Sequence, residues 1–343
     1  DDDKERLSKY LIFEGDIVFS RVGSVDRRAY VSNQEDGWMF SGRLLRVRVN
    51  KNVIGSKFLS YYFGQSNFKE HIRRIAVGAT MPSINTKILK GVEISYPPLP
   101  EQKAIADVLS SLDNKIDLLQ RQNATLEAMA QTLFRQWFVE EAEDDWEEKP
   151  LTDFIDFLEG PGIRNWQYVY EEDGINFINI RLIQDGEINL ASANQISKEE
   201  AFGKYAHFLL QEKDLIISTS GTLGKSAIVR SYHLPLCLNT SVIRFRPIDG
   251  IHYSFLYQYL QSYEFLSQLQ TMASGSVQLN FGPTHLKRIT MLIPPTNLLD
   301  DFENRTGAMY EKINANFLQI RTLEKLRDTL LPKLMSGKVR VRH

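Results

Sequence analysis

Residues 101–138 read EQKAIADVLSSLDNKIDLLQRQNATLEAMAQTLFRQWF, a run without Gly or Pro that follows Pro100. Taking every third and fourth position gives Ile105, Leu109, Leu112, Ile116, Leu119, Asn123, Leu126, Ala130, Leu133 and Trp137. That spacing is the seam of a coiled coil, apolar at nearly every step. The helix it predicts is roughly 55–60 Å long at about 1.5 Å per residue. Shifted by 197 residues, the seam returns as Phe302, Thr306, Met309, Ile313, Asn316, Ile320, Leu323, Arg327, Leu330 and Leu334. Each copy carries one Asn, at different steps, and a lone buried Asn fixes register and partner orientation. Two matched seams predict an antiparallel helix pair.

Composition bounds the rest. A chain of 343 residues, 43% hydrophobic, predicts two domains with substantial cores. Its single cysteine, Cys237, excludes an intrachain disulfide and fits a reducing, cytoplasmic setting. No apolar run approaches transmembrane length and no secretory leader is visible. The net charge of −2 does not advertise a nucleic-acid binder. Charge is segregated, however. Residues 1–100 sum to roughly +5, whereas Glu140 to Glu148 reads EEAEDDWEE and is expected to be a solvated linker. Whole-chain neutrality can therefore hide a local basic face.

Taken in order, Gly15 to Ser20 reads as a strand leading into the loop SRVGSVDRR, and Ala29-Tyr30-Val31 as the returning strand. Arg43 to Val49 alternates with period two, apolar on one face and cationic on the other. Phe58 to Ile75 has helical spacing. The loop VGATMPSIN follows, then a short strand at Val92-Glu93-Ile94 and the stiff tract YPPLPEQ before the long helix. A new globular region opens at Pro150, with the turn Glu159 to Trp166 and a strand-like INFINIRLI over Ile175 to Ile183.

From there the first region replays. Asp214-Leu215-Ile216-Ile217-Ser218 repeats Asp16-Ile17-Val18-Phe19-Ser20, and Ser241 to Arg246 repeats Arg43 to Arg48, both at an offset of 198. After a one-residue slip, Phe255-Leu256 repeats Phe58-Leu59, Gly275 repeats Gly78, and Pro294-Pro295 repeats Pro97-Pro98. A shared offset over most of a copy is an internal duplication. The segment from Pro150 to about Lys198 has no counterpart before Asp1, so the first domain is expected to lack about fifty residues of its start. The expected boundaries are a first domain over 1–96, helix 97–139, acidic linker 140–149, second domain 150–295, and a second helix with tail over 296–343. The fold class is α+β with a pseudo-twofold repeat.

Catalytic motifs fail on inspection. Ser220 to Ser226 (SGTLGKS) resembles a phosphate loop, but that motif needs Gly where Thr219 stands and a helix where Ala227-Ile228-Val229 reads as a strand. Gly160-Pro161-Gly162 lacks the third Gly of a dinucleotide fingerprint. The six His residues show no metal-ligand spacing. The Pro-Pro pairs follow Tyr96 and Ile293, not the Asn or Asp of a base-methyltransferase motif. No acidic cluster suited to magnesium is visible. Nothing here reads as an enzyme.

Recognition remains. Short loops mixing hydroxyls, amides and cations pair with base edges and phosphates. The candidates are Arg21, Ser24, Arg27 and Arg28 in the first module, and Thr219, Ser220, Thr222 and Lys225 in the equivalent loop of the second. A further loop pair offers Thr80, Ser83 and Asn85, and Ser274, Ser276, Gln278 and Asn280. Arg46, Arg48, Arg244 and Arg246 suit phosphate if they are exposed. Arg164, Asn165, Asn179 and Arg181 form a third group, beside Trp166, a residue type more often core than a stacking platform.

These features resemble the specificity subunit of type I restriction–modification systems. The resemblance is carried by GDIVFSRVGS and KDLIISTSGTLGK, by VGATMPSIN and ASGSVQLNF, by ISYPPLPEQ and MLIPPTN before the helices, and by the closing LLPKLMSGKVRV. It implies two target recognition domains, each reading half of a bipartite sequence in double-stranded DNA, with the helices as a ruler. It implies two methyltransferase subunits and motor-endonuclease subunits as partners, and no membrane. S-adenosylmethionine, ATP and magnesium would belong to those partners, with no cofactor on this chain. TNLLDDF stands where the first copy has LPEQ, which predicts a different docking surface there. The competing readings are the recognition part of a single-chain restriction–modification enzyme, and a coiled-coil scaffold without DNA binding.

Overall fold

The computed structural model describes residues 7–170, 173–184, 186–219, 224–248, 250–273 and 281–341. It divides into two compact units, residues 1–120 with 319–343, and residues 121–318.

The first unit is built on β1 (Ile17–Ser20), β2 (Arg28–Tyr30) and β3 (Leu44–Val47), an antiparallel sheet in the order β2-β1-β3. Period-two alternation places Ile17 and Phe19 on one face, fully buried. Helices α1 (Ser56–Gly64), α2 (Ser66–Ile75) and α3 (Thr86–Lys90) cover that face, with Phe58, Leu59, Phe63, Phe68 and Ile72 in the same core cluster. The helical stretch expected from Phe58 to Ile75 is therefore two helices. Gln65 breaks them in extended conformation (φ −63°, ψ 143°). The start of α4 (Leu99–Arg135) completes this core through Ile105, Ala106 and Leu109.

The second unit repeats that frame and adds to it. Its added elements are β4 (Glu147–Pro150), β5 (Ile155–Glu159), β6 (Ile175–Phe177), β7 (Ile183–Gln184), β8 (Glu187–Ile188), β9 (Asn194–Ile196) and α5 (Lys198–Phe202). The frame itself is β10 (Leu215–Ser218), β11 (Ser226–Ile228), β13 (Val242–Pro247), α6 (Tyr253–Tyr259), α7 (Tyr263–Ala273), α8 (Pro283–Leu286) and the long helix α9 (Thr296–Met335), while β12 (Leu236–Cys237) pairs with β6 and β14 (Thr290–Ile293) with β4, and neither has a counterpart strand among the described residues of the first unit. The register repeats residue for residue. Ile17 faces Tyr30 and Val47, as Leu215 faces Ile228 and Phe245.

The added segment explains three departures from expectation. Val92-Glu93-Ile94 forms no strand, whereas its counterpart lies in and beside β14. β14 pairs with β4, whereas no strand pairs with residues 92–94 among the described residues. The acidic run is accordingly not all linker, since Glu147 and Glu148 belong to β4. INFINIRLI is a strand only over Ile175–Phe177. Asn179 then accepts the Arg181 amide at 3.0 Å and turns the chain into a 3₁₀ helix over Ile180–Leu182.

The predicted seam is buried or half-buried within each unit. In the first, Ile116 and Leu119 pack with Ile320 and Leu323, and Leu334 joins Ile105 and Leu109. The seam's Arg327 is held by Asp113 at 2.9 Å, whose second oxygen accepts the Tyr61 hydroxyl at 2.6 Å. In the second unit the two seam asparagines meet. Asn316 Nδ2 donates to Asn123 Oδ1 at 2.8 Å and to Gln122 Oε1 at 2.9 Å. In both units the pairs run antiparallel, the partner's number falling as the first rises.

Candidate nucleic-acid interface

In the first unit, loop 21–27 follows β1 and loop 76–85 follows α2, and backbone hydrogen bonds join them. Gly23 N–H donates to Pro82 O at 2.8 Å, and Ile84 N–H to Arg21 O at 2.9 Å. Ser83 bridges both Val22 and Val77. Two loops far apart in sequence thus form one platform. Arg21, Ser24, Arg27 and Thr80 stand exposed on it. Arg43, which the sequence reading passed over, joins them. It immediately precedes β3, its carbonyl accepts the Arg21 amide at 2.8 Å, and its side chain is exposed. The signal was available, since Arg43 is the cation next to the turn that precedes the alternating strand.

Other candidates have structural partners. Arg28 Nε donates to Ser60 O, and a Cβ on Gly64 would collide with its guanidinium. Ser83 Oγ donates to Val77 O at 3.1 Å, and Asn85 caps α3 by accepting Ile88 N–H at 2.9 Å. Arg48 is bidentate to Asp16 at 2.7 and 2.6 Å. Burial alone would raise the Asp16 carboxyl, but Arg48 and the Phe13 amide outweigh it and hold it below the ordinary range. Arg246 repeats this pairing with Asp214, which accepts the Gln211 amide as Asp16 accepts that of Phe13. Arg46 donates to the carbonyls of Lys9 and Leu11. Arg244 is only 5% exposed and is paired with Asp156 at 2.7 Å, so the exposure its phosphate role required is absent.

In the second unit the counterparts of Ile84 and Arg21 make the same bond, Phe281 N–H donating to Thr219 O at 2.9 Å. Ser220, Thr222, Ser274, Ser276, Gln278 and Asn280 lie outside the described residues. Thr219 is buried and donates to Thr240 O at 3.3 Å, which turns its hydroxyl away from solvent. Around it opens a recess of about 410 Å³ whose walls include Glu159, Thr240, Ser241, Thr284 and His285. None of these had been singled out. Gly160-Pro161-Gly162 packs against residues 239 and 240 beside it: a Cβ on Gly160 would collide with the Asn239 backbone, and Pro161 O accepts Thr240 N–H at 3.2 Å. Arg164 Nε and the Thr240 methyl both lie 3.9 Å from where a Gly162 Cβ would stand. Arg164, Asn165 and Arg181 are exposed, whereas Asn179 is half-buried in its cap. Trp166, 80% exposed, is no core residue. Lys225 is exposed beside a separate recess lined by Gln184 and Leu266. The turn before β11 leads into a strand and not the helix a phosphate loop requires.

Among the described residues no group of three or more His, Cys, Asp or Glu is placed to hold a metal ion. Nor is any helix among them long and apolar enough to cross a membrane. A family model described as the type I restriction modification DNA specificity domain matches residues 1–128 and 143–316. The chain belongs to this family.

The specificity-family chain is 30% identical over 312 residues to the type I restriction enzyme MjaIX specificity subunit of Methanocaldococcus jannaschii, covering 85% of itself and 71% of that relative. To the HindI specificity subunit of Haemophilus influenzae it is 22% identical over 416 residues, covering 97% of itself and 88% of the relative. The crystal structure of a type I restriction–modification S subunit from M. genitalium shares the fold. Its TM-score is 0.60 at 18% identity, over 95% of this chain and 84% of that one. In this specificity-family frame, one position of the LPEQ departure is internal while Leu99 and Pro100, like Thr296 and Asn297, are exposed. Gln102 is 1% exposed and bonds Gly55 N–H, Val53 O and Pro97 O, while its counterpart Leu299 is 2% exposed among apolar neighbours.

Proposed function

We propose that this chain is the non-catalytic subunit that gives a type I restriction–modification complex its DNA sequence specificity, reading a bipartite target with one loop platform per unit. The observation that carries this reading is the duplicated platform. The same two loops are joined by the same amide-to-carbonyl bond, Ile84 to Arg21 and Phe281 to Thr219, on sheets of identical register. Exposed Arg21, Arg27 and Arg43 supply cations for phosphate or guanine in the first platform. In the second, hydroxyls of Thr240, Ser241 and Thr284 and the Glu159 carboxylate line a recess suited to base edges, the carboxylate to a cytosine amino group. Helices α4 and α9 serve as the spacer and as the docking elements for methyltransferase subunits. On this reading S-adenosylmethionine, ATP and magnesium are bound by those partners and by the motor-endonuclease subunits.

The test is methyl transfer by purified methyltransferase subunits to duplex DNA, with and without this chain. Sequence-restricted methylation that requires the chain is expected. Equal methylation with the chain omitted contradicts the proposal.

A further inference from the structure

Trp166 is 80% exposed, although the turn that carries it is pinned on both sides. Ahead of it, Ile163 N–H donates to Asn239 Oδ1 at 3.3 Å and Arg164 N–H to Gln167 Oε1 at 3.0 Å. Behind it, Gln167 is 6% exposed, and its Nε2 donates to Glu200 Oε1 and to the Tyr205 hydroxyl, each at 2.9 Å. Val169 N–H then donates to Gln195 O of β9 at 3.0 Å, and the Tyr168 ring lies 5.2 Å from that of Phe177. The 3₁₀ turn over Asn165–Gln167 is therefore held, and it presents one indole to solvent. That ring forfeits most of the roughly 150–250 Å² an aromatic side chain buries in a core.

The turn begins at the second platform. Pro161 O accepts Thr240 N–H, and Thr240 lines the recess around Thr219. Trp166 follows Gly162 by four residues, no more than about 14 Å of chain. Beside the indole stand exposed Arg164 and Asn165, and among the described residues no carboxylate pairs with Arg164. An unpaired guanidinium next to a bare aromatic ring suits a polyanion of stacked bases better than an apolar protein surface.

We propose, on the DNA-reading role given above, that Trp166 is a stacking wedge of the second platform. Its indole enters the base stack at the border of the element that the recess reads, and Arg164 takes the adjacent phosphate. Every base has a face on which a ring stacks, so the wedge adds affinity and a kink and does not read base edges. Its selectivity is for deformability: a pyrimidine–purine step at that border opens most easily.

The experiment uses the chain assembled with its methyltransferase subunits and an end-labelled duplex carrying the target they methylate. Energy transfer between the ends reports the bend. Trp166→Ala should straighten the bound duplex and weaken binding about tenfold, with the slope of log K against log salt unchanged. Trp166→Phe should restore most of the bend and the affinity. Arg164→Ala should lower the slope by about 1 and leave the bend in place. Because the indole is exposed, Trp166→Ala should keep the parent's Tm. Chain-dependent methylation with bend and affinity unchanged in Trp166→Ala overturns the wedge and leaves the recognition role standing. Methylation that does not need the chain overturns both. Weaker binding with an unchanged bend assigns the ring to a methyltransferase subunit and overturns the wedge.

Discussion

Arg27, Arg43, Arg48 and Arg246 are alike in a sequence, and their neighbours in space separate them. Arg48 and Arg246 are tied to carboxylates that are almost fully buried, Asp16 and Asp214; Arg27 and Arg43 extend from the platform into solvent. Arg27→Ala or Arg43→Ala should therefore weaken duplex binding and lower the slope of log K against log salt by about 1 per lost phosphate contact. Arg48→Met and Arg246→Met should leave that slope unchanged and cost about 1–3 kcal/mol of stability, read by urea denaturation, because a buried carboxylate loses its donor. A reversed pattern would return the paired arginines to the interface. A second residue-scale prediction concerns Glu187. Burial pushes its carboxyl up, but His233 at 3.0 Å and Arg230 at 2.7 Å more than reverse this and hold it below the ordinary 4.5. Arg230 also donates to Asn314 at 3.1 Å and lies over the Phe317 ring, so the cluster pins the β-layer to α9 within the second unit. A folded carboxyl held low stabilises above the unfolded pKa and loses that contribution as pH falls through the folded value. Glu187→Gln should cost about 3 kcal/mol at pH 7 and progressively less below pH ~4. A cost independent of pH would contradict the assignment.

At the scale of elements, both long helices and the strands of the repeated sheet (β1 to β3, β10, β11 and β13) were legible, because periodicity is local and the repeat supplied a second copy of each pattern. What escaped depended on distant partners. Val92-Glu93-Ile94 has the composition of a strand but no strand to pair with, and Arg244 is buried by β5, whose Asp156 lies 88 residues away. The loops flagged for binding did come together in the first unit, yet Thr240, Ser241 and His285 were missed, since no spacing rule links them. The helix pair yields its own prediction. Asn123 and Asn316 share one hydrogen bond, while Asn123 Nδ2 and Asn316 Oδ1 are buried without partners. Asn316→Leu alone strands the Asn123 amide and should cost about 1–3 kcal/mol. The double change with Asn123→Leu should recover that loss or raise Tm above the parent, at the expense of register specificity. Additive destabilisation in the double variant would show that the asparagines do not act as a pair.

For the whole molecule, the duplicated frame is what the proposed recognition role rests on. Two platforms of one design but different side chains imply that each half of the target changes independently of the other. The most direct test maps every methylated position on genomic DNA treated with the reconstituted methyltransferase complex. Two short specific elements separated by a gap of fixed length are predicted. Arg27→Ala with Arg43→Ala should relax one element and leave both the other element and the gap intact. A single uninterrupted motif, or a loss of selectivity at both elements together, would contradict the account.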